Sequence, residues 1–207
     1  MHTTKSQRNS VAAAIVIVSI CSLSHPSRAA DSGWVARLNG APTVTRAGSI
    51  ASLKVGDSVQ VGDVIETDAD SKVKILLVDD SVLDIGAQSR VALDALSMEP
   101  SRRVARIDVT LGRFKLAVAK FFGGASDYEI RTPTAVAGVR GTVLWGDTVL
   151  DAICALDGTI EVRTIQATTS RQLGAGACLQ RFATGKPQPL KPSAADLAAY
   201  LKAVRVE

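Results

Sequence analysis

The chain has 207 residues, of which 46% are hydrophobic and 4% aromatic, and its formal net charge is +4. Residues 1–30 hold three of the basic residues and no acidic one, which leaves 21 basic against 20 acidic residues in the remainder. Both histidines, His2 and His25, also lie in those first residues. The remainder therefore has no strong attraction to nucleic acid, and serine–histidine or cysteine–histidine nucleophiles and imidazole zinc sites are excluded. We expect no enzyme, no metal site, no cofactor and no nucleic-acid partner.

The first thirty residues have the pattern of a secretory signal peptide. Lys5 and Arg8 precede an apolar stretch over residues 11–23, and Ser27 to Ala29 form a small-x-small cleavage site. We predict cleavage near Ala29 or Ala30 and export of the rest of the chain. The apolar stretch is shorter than a membrane span, which needs about 20 residues, so we expect no span in the mature chain; an uncleaved anchor is the alternative.

The body of the chain has the periodicity of strands. Apolar residues alternate with period two, as Val73, Ile75 and Leu77 do. Further short apolar runs are separated by turn signals, and Asp157-Gly158 is the clearest hairpin turn because both residues tolerate positive φ. We predict an all-β fold with a short C-terminal helix. Its β domain, residues 44–184, is a sandwich, barrel or short rolled solenoid, and residues 31–43 form a lead-in.

Paired carboxylates in this region are candidate calcium ligands. Both pairs fall where turns are expected, so we interpret them as solvated turn carboxylates instead; they are Asp68 with Asp70 and Asp79 with Asp80. We interpret a group of nearby arginines in the same way, as a solvated turn and strand edge; they are Arg102, Arg103 and Arg106.

The segment RTPTAVAGVRGT, residues 131–142, is the most informative part of the chain. Pro133 fits the start or edge of a strand. Gly138 and Gly141 permit close backbone approach or positive φ. Between them, Arg140 carries five hydrogen-bond donors in a planar fork.

Two interpretations of Arg140 stay open at this point. The one we favour is structural: Arg140 binds buried carbonyls or pairs with a carboxylate such as Asp63, Asp79 or Asp80. The other is an anion-binding corner formed by Arg131, Arg140 and backbone amides around the two glycines. That corner requires Arg140 to be accessible.

Two cysteines follow the leader, Cys154 and Cys178. An even pair in an exported chain is more often a disulfide than a metal or catalytic site, so we predict that these two are bridged. The alternative is two separately buried thiols.

The end of the chain changes character. Residues 185–192, GKPQPLKP, read as a proline-rich extended linker. Ser193 and Asp196 then form a carboxylate variant of the capping box and predict a helix over residues 193–205. Its apolar stripe either packs on the parent sheet or docks on a partner; the stripe consists of Leu197, Tyr200, Leu201 and Val204.

Three motifs together make residues 44–163 resemble the FecR domain. They are the spacing L..G..V..GD.I.T from Leu53 to Thr67, the element D-(D/G)-S-x-L from Asp79 to Leu83, and TP.AVAGVRGT. Asp80 departs from the pattern, because the family usually has a turn glycine there. The resemblance implies the same all-β fold.

The resemblance also implies a periplasmic location. In FecR regulators the domain receives a signal from an outer-membrane transporter, on the far side of the inner membrane from a segment that handles a sigma factor. Only about ten residues precede the apolar stretch here, so we expect a stand-alone exported protein without that segment. We predict a noncatalytic interaction or sensing module that engages a cell-envelope protein through sheet edges or loops; the alternative is binding of an envelope glycan or small molecule.

Overall fold

A computed structural model describes residues 30–206 of the protein. The predicted signal peptide lies outside the described residues except for Ala30. In chain order the elements are β1 (Asp31–Asn39), β2 (Thr43–Arg46), β3 (Ser49–Ser52), β4 (Ser58–Gln60), β5 (Val64–Thr67), β6 (Lys72–Leu77), β7 (Val82–Ile85), β8 (Ser89–Glu99), β9 (Arg102–Leu111), β10 (Arg113–Ala117), β11 (Ala125–Arg131), β12 (Ala135–Val139), β13 (Val143–Asp147), β14 (Ala152–Asp157), β15 (Thr159–Thr164), β16 (Arg171–Gly174), β17 (Cys178–Gln180), β18 (Gln188–Leu190) and α1 (Ala194–Val204). A single 3-10 turn, Phe182–Thr184, precedes β18.

The strands form two open nine-stranded sheets, which confirms the all-β prediction and excludes a closed barrel. The first sheet has the order β18-β17-β14-β13-β10-β7-β6-β1-β4, and the second has the order β16-β15-β12-β11-β9-β8-β5-β2-β3. The chain places at most two successive strands in one sheet before it crosses to the other. It therefore winds back and forth between the sheets while it advances along both.

One hydrophobic cluster draws side chains from both sheets and forms the core. Val73 and Ile75 of the first sheet belong to it together with Ile107 and Ile130 of the second, and all four are almost fully buried. Period-two alternation places these residues on the inner faces. The outer face of the second sheet carries the charged residues described below.

Two segments expected to flank the domain belong to its sheets. Residues 31–39, in the predicted lead-in, form β1, which pairs with both β4 and β6. Residues 188–190, in the predicted linker, form β18, which pairs with β17 at the edge of the first sheet. Apolar periodicity is weak in both segments, so only the pairing reveals them as strands.

The predicted hairpin at Asp157-Gly158 is wrong. β14 ends at Asp157 in the first sheet and β15 begins at Thr159 in the second, so the turn is a crossover between sheets. Gly158 does adopt a positive φ of 72°. A Cβ there would come within 2.5 Å of Thr142 Cγ2, so the crossover requires glycine.

The predicted C-terminal helix is confirmed. The Ser193 hydroxyl accepts from the Asp196 amide, and the Asp196 carboxylate accepts from the Ser193 amide, so the capping box is complete. Within residues 30–206 no helix has the length and apolar character needed to cross a membrane.

Candidate functional site

The motif segment lines an open cleft of about 560 Å³. Three neighbouring strands of the second sheet, β11, β12 and β15, supply most of its wall. The residues that characterise it are Asp127, Gly138, Arg140, Thr142, Glu161 and Gln172. Polar and apolar groups contribute to the lining in about equal parts, and three glycines belong to it: Gly138, Gly141 and Gly158.

Gly138 lies in the middle of a row of paired residues across the second sheet. It is the register partner of Glu129 on β11 and of Glu161 on β15. Their inward-facing neighbours, such as Tyr128 and Ile160, are buried, so the row faces outward. Gly138 has no side chain, so the backbone of β12 lines the cleft at this position.

The two motif glycines have different roles. Gly141 has a φ of 61°, and a Cβ there would lie 3.1 Å from Lys120 Cγ, so the turn after β12 favours glycine. At Gly138 the backbone is ordinary strand, and a Cβ would come no closer than 3.9 Å to any neighbour. The fold itself therefore has room for a side chain at Gly138.

Arg140 is exposed at the rim of this cleft. No hydrogen bond or ion pair of its side chain is found among residues 30–206. The structural interpretation favoured from the sequence is wrong, since Asp63 binds Arg46 at 2.6 Å and Asp79 binds Arg103 at 2.8 Å. Asp80 is exposed in its turn, where it adopts a φ of 65° in place of the usual glycine.

Arg131 lies away from Arg140. In the β11–β12 pair, Arg131 is opposite Val136, whereas Arg140 follows Val139 at the other end, which pairs with Tyr128. The Arg131 guanidinium donates to the Glu129 carboxylate, which raises the pKa of Arg131. The structure thus brings Arg140, Gly138 and Gly141 together at the cleft and leaves Arg131 outside it.

A buried polar network supports the wall of the cleft, and sequence reasoning missed it. Arg103, expected to be solvated, is 2% exposed. It donates from Nη1 to Asp79 Oδ2 at 2.8 Å and from Nε to Ser126 Oγ at 2.7 Å. The guanidinium also lies over the rings of Phe121 and Tyr128, 5.2 and 5.0 Å from the centroids.

Asp79, expected to be a solvated turn carboxylate, also belongs to this network. Its Oδ2 accepts from the Tyr128 hydroxyl at 2.6 Å. Burial, followed by the negative charge of Asp79, raises the pKa of Tyr128. Ser126 and Tyr128 line the cleft as well, so the network fixes β11 beneath it. The alternation of the strand contains the signal that was missed. Every second residue of β9 points inward, and Arg103 lies on the same face as the buried residues Ala105, Ile107 and Val109.

Comparison with known proteins identifies the family. The model of the FecR protein family matches residues 63–168, more than half of the chain. This chain belongs to the FecR protein family. No curated protein matches it.

Two crystal structures of a "putative anti-sigma factor" from Parabacteroides distasonis ATCC 8503 resemble the FecR protein described here. Each superposes with a TM-score of 0.53 at 16% identity and covers 67% of this chain. The match spans 64% and 63% of those chains, less than two thirds of their length. At this identity the similarity shows a shared fold.

The C-terminal helix and the disulfide of this FecR protein share a second hydrophobic cluster, on the face of the first sheet that points away from the core. Cys154 and Cys178 are bridged, as predicted, and they are direct register partners on β14 and β17. The Tyr200 ring stacks on Trp145 with centroids 4.5 Å apart and planes 7° from parallel. Val204 is buried beside the same tryptophan.

These contacts show that the helix stripe packs on its own domain. Tyr200 and Val204 are engaged there, while Leu197 and Leu201 are half-buried. Docking on a partner through this stripe stays a prediction, and Leu197 and Leu201 are the positions left for it.

The edges of the FecR sheets differ in protection. All four residues of β3, at the end of the second sheet, are exposed and uncharged, and Ile50 is 71% exposed. By contrast, β18 carries Pro189, which removes a backbone donor. An unprotected edge such as β3 can pair with a strand of another chain.

Proposed function

We propose that this FecR protein is a noncatalytic interaction module that acts in the periplasm and binds a protein of the cell envelope. The observation that carries the proposal is the exposed Arg140 at the rim of an open cleft. A guanidinium with no partner in the described part of the chain is available to bind a carboxylate or carbonyl of another molecule.

The proposed compartment rests on the disulfide and on the N-terminal pattern. The Cys154–Cys178 bridge fits an oxidising compartment. The predicted signal peptide would deliver the chain there. Family membership is consistent with a periplasmic domain that senses or relays a signal.

Two further surfaces favour a protein as the ligand. The uncovered β3 edge offers backbone pairing to an added strand. On the first sheet, Trp34 and Leu76 are register partners on β1 and β6, and both are partly exposed, at 42% and 38%. Exposed apolar pairs of this kind are common at protein interfaces.

The second candidate is an envelope glycan or small molecule, favoured by the concave shape and converging polar groups of the cleft. Two features weigh against it. Small-molecule sites enclose most of their ligand in predominantly apolar walls, whereas this cleft is open and only about half of its surface is apolar. Its aromatic residue, Tyr128, is 1% exposed and offers no ring face to a sugar.

The test is affinity capture from envelope extracts after in-cell crosslinking of the tagged chain. Arg140→Ala is the variant, and Arg37→Ala is the matched control, since Arg37 is exposed on β1 of the other sheet. We expect one envelope protein that is captured by the unmodified chain and by Arg37→Ala but is lost with Arg140→Ala. Capture of glycan or of no protein by the unmodified chain would refute the proposal.

A further inference from the structure

Two carboxylates flank Gly138 across the second sheet, and one of them, Glu161, lines the cleft. Glu129 and Glu161 pair on either side of Gly138. They are therefore two strand spacings apart, about 10 Å. Opposite charges stabilise cross-strand neighbours; Glu129 has a basic partner in Arg131, so a basic side chain over Gly138 would pair with Glu161.

Gly138 itself has no role within the domain that would require glycine. Its φ is not positive, and a Cβ would meet nothing closer than 3.9 Å. At Gly146, by contrast, a Cβ would come within 2.5 Å of the Phe114 ring. Glycine inside a strand costs stability, and it often marks a place where another molecule approaches the backbone.

An independent feature of the same cleft also indicates a ligand. The Thr142 residue is 4% exposed and lines the cleft. Its Oγ1 is buried and has no hydrogen-bond partner among residues 30–206. An unpaired buried hydroxyl is costly, so a ligand group that reached it through the wall of the cleft would gain a hydrogen bond that residues 30–206 do not supply.

The carboxylates of the cleft are only weakly engaged. Glu161 accepts from Ser170 Oγ at 3.4 Å, and Asp127 lies 3.9 Å from the Arg102 guanidinium. Glu129, which binds Arg131, does not line the cleft. Asp127 and Glu161 against Arg140 leave the lining with an excess negative charge.

We propose that the cleft binds an extended segment of a partner protein with a lysine or arginine side chain lying over Gly138. The cation contacts Glu161 and Asp127, while Arg140 and the Thr142 hydroxyl bind the backbone of the segment. This inference rests on the proposed function and specifies the chemical groups that the partner presents to the cleft.

The experiment selects binders for the purified full chain from a displayed library of short random peptides. Gly138→Leu fills the cleft, and Glu161→Gln removes a charge while it keeps hydrogen bonding. Ser97→Leu is the control, because Ser97 is exposed on β8 of the same sheet. Thermal melting verifies that each variant is folded, and Gly138→Ala replaces Gly138→Leu if the latter is not.

We expect a lysine or arginine at one fixed position of the selected peptides. Binding should be about tenfold weaker to Glu161→Gln, as for one lost charge-assisted contact. It should be lost with Gly138→Leu and unchanged with Ser97→Leu. Peptides without a basic preference, or equal binding to Gly138→Leu, would overturn the inference.

The capture experiment separates this failure from failure of the proposed function. If the envelope protein is lost with Arg140→Ala but peptides show no basic preference, the interaction module stands and the basic segment is wrong. If no envelope protein is captured by the unmodified chain, the proposed function itself is wrong.

Discussion

At the scale of single residues, Arg140 and Arg103 have opposite environments. Arg140 follows β12 and is exposed, whereas Arg103 on β9 is 2% exposed. Arg140→Ala should change the free energy of unfolding by less than about 0.5 kcal/mol, as exposed substitutions generally do. Denaturant unfolding measures this, and a loss of more than about 1 kcal/mol would show that Arg140 holds the fold together.

Asp79→Ala tests the buried network. The change leaves the Arg103 guanidinium buried without its carboxylate and leaves the Tyr128 hydroxyl without its acceptor. Removing one partner of a buried ion pair costs about 3–5 kcal/mol. The same unfolding assay measures the loss, and the exposed neighbour Asp80 provides the control as Asp80→Gly, which suits its positive φ. Equal stability of Asp79→Ala and the unmodified protein would refute the network.

Asp108 is a titrating carboxyl group on the outer face of the second sheet. Burial, then a hydrogen bond and repulsion from Asp94, raise the pKa of Asp108 to about 6; Glu129 adds to the rise and Arg131 opposes it. As the pH rises, the unfolded chain loses the Asp108 proton near its ordinary pKa of about 3.9. The folded state keeps this proton up to about pH 6. The stability that this proton contributes is complete below about pH 4 and is lost as pH rises through about 6.

This linkage predicts a pH-dependent difference between the unmodified protein and Asp108→Asn. The melting temperature of the unmodified protein, relative to the variant, should be higher at about pH 4 than at about pH 8. Differential scanning calorimetry at both values measures it. Because Asp108 is only half-buried, solvent screening keeps the effect small. A relative melting temperature that rises with pH would contradict the assigned cause.

At the scale of elements, the disulfide joins two neighbouring strands and encloses the β15–β16 hairpin. The cysteines are 24 residues apart, and a loop of this size contributes about 3 kcal/mol in the chain-entropy model. Reduction should therefore lower the melting temperature. Titration of free thiols in the unfolded, unreduced protein should find none at these positions, and two free thiols would contradict the bridge.

The sequence predicts those strands and helix ends that depend on neighbouring residues alone. Period-two alternation gives the strands, and Ser193 with Asp196 gives the start of α1. Asp157-Gly158 shows the limit of this reasoning, because a positive φ indicates a reversal of direction and does not say which strand pairs next. Here the next strand pairs in the other sheet.

In the molecule as a whole, contacts between residues far apart in the sequence determine the features that the sequence alone does not predict. Arg103 binds Asp79, which is 24 residues away in the sequence, and Tyr128 binds the same carboxylate from 49 residues away. The local sequence around these residues does not predict either pair. The motif segment lines the cleft, but its physical role depends on which of its glycines the fold needs. The turn after β12 favours glycine at position 141, whereas the fold has room for a side chain at Gly138.

Site-specific photocrosslinking in intact cells tests directly whether the cleft contacts an envelope protein. A photoreactive amino acid replaces Gln172, which is exposed in the cleft, and the control replaces Ala36, which is exposed on the first sheet. We expect that one envelope protein crosslinks at position 172, that position 36 gives no such product, and that Arg140→Ala abolishes the product. A protein that crosslinks at position 36 and not at position 172 would contradict it.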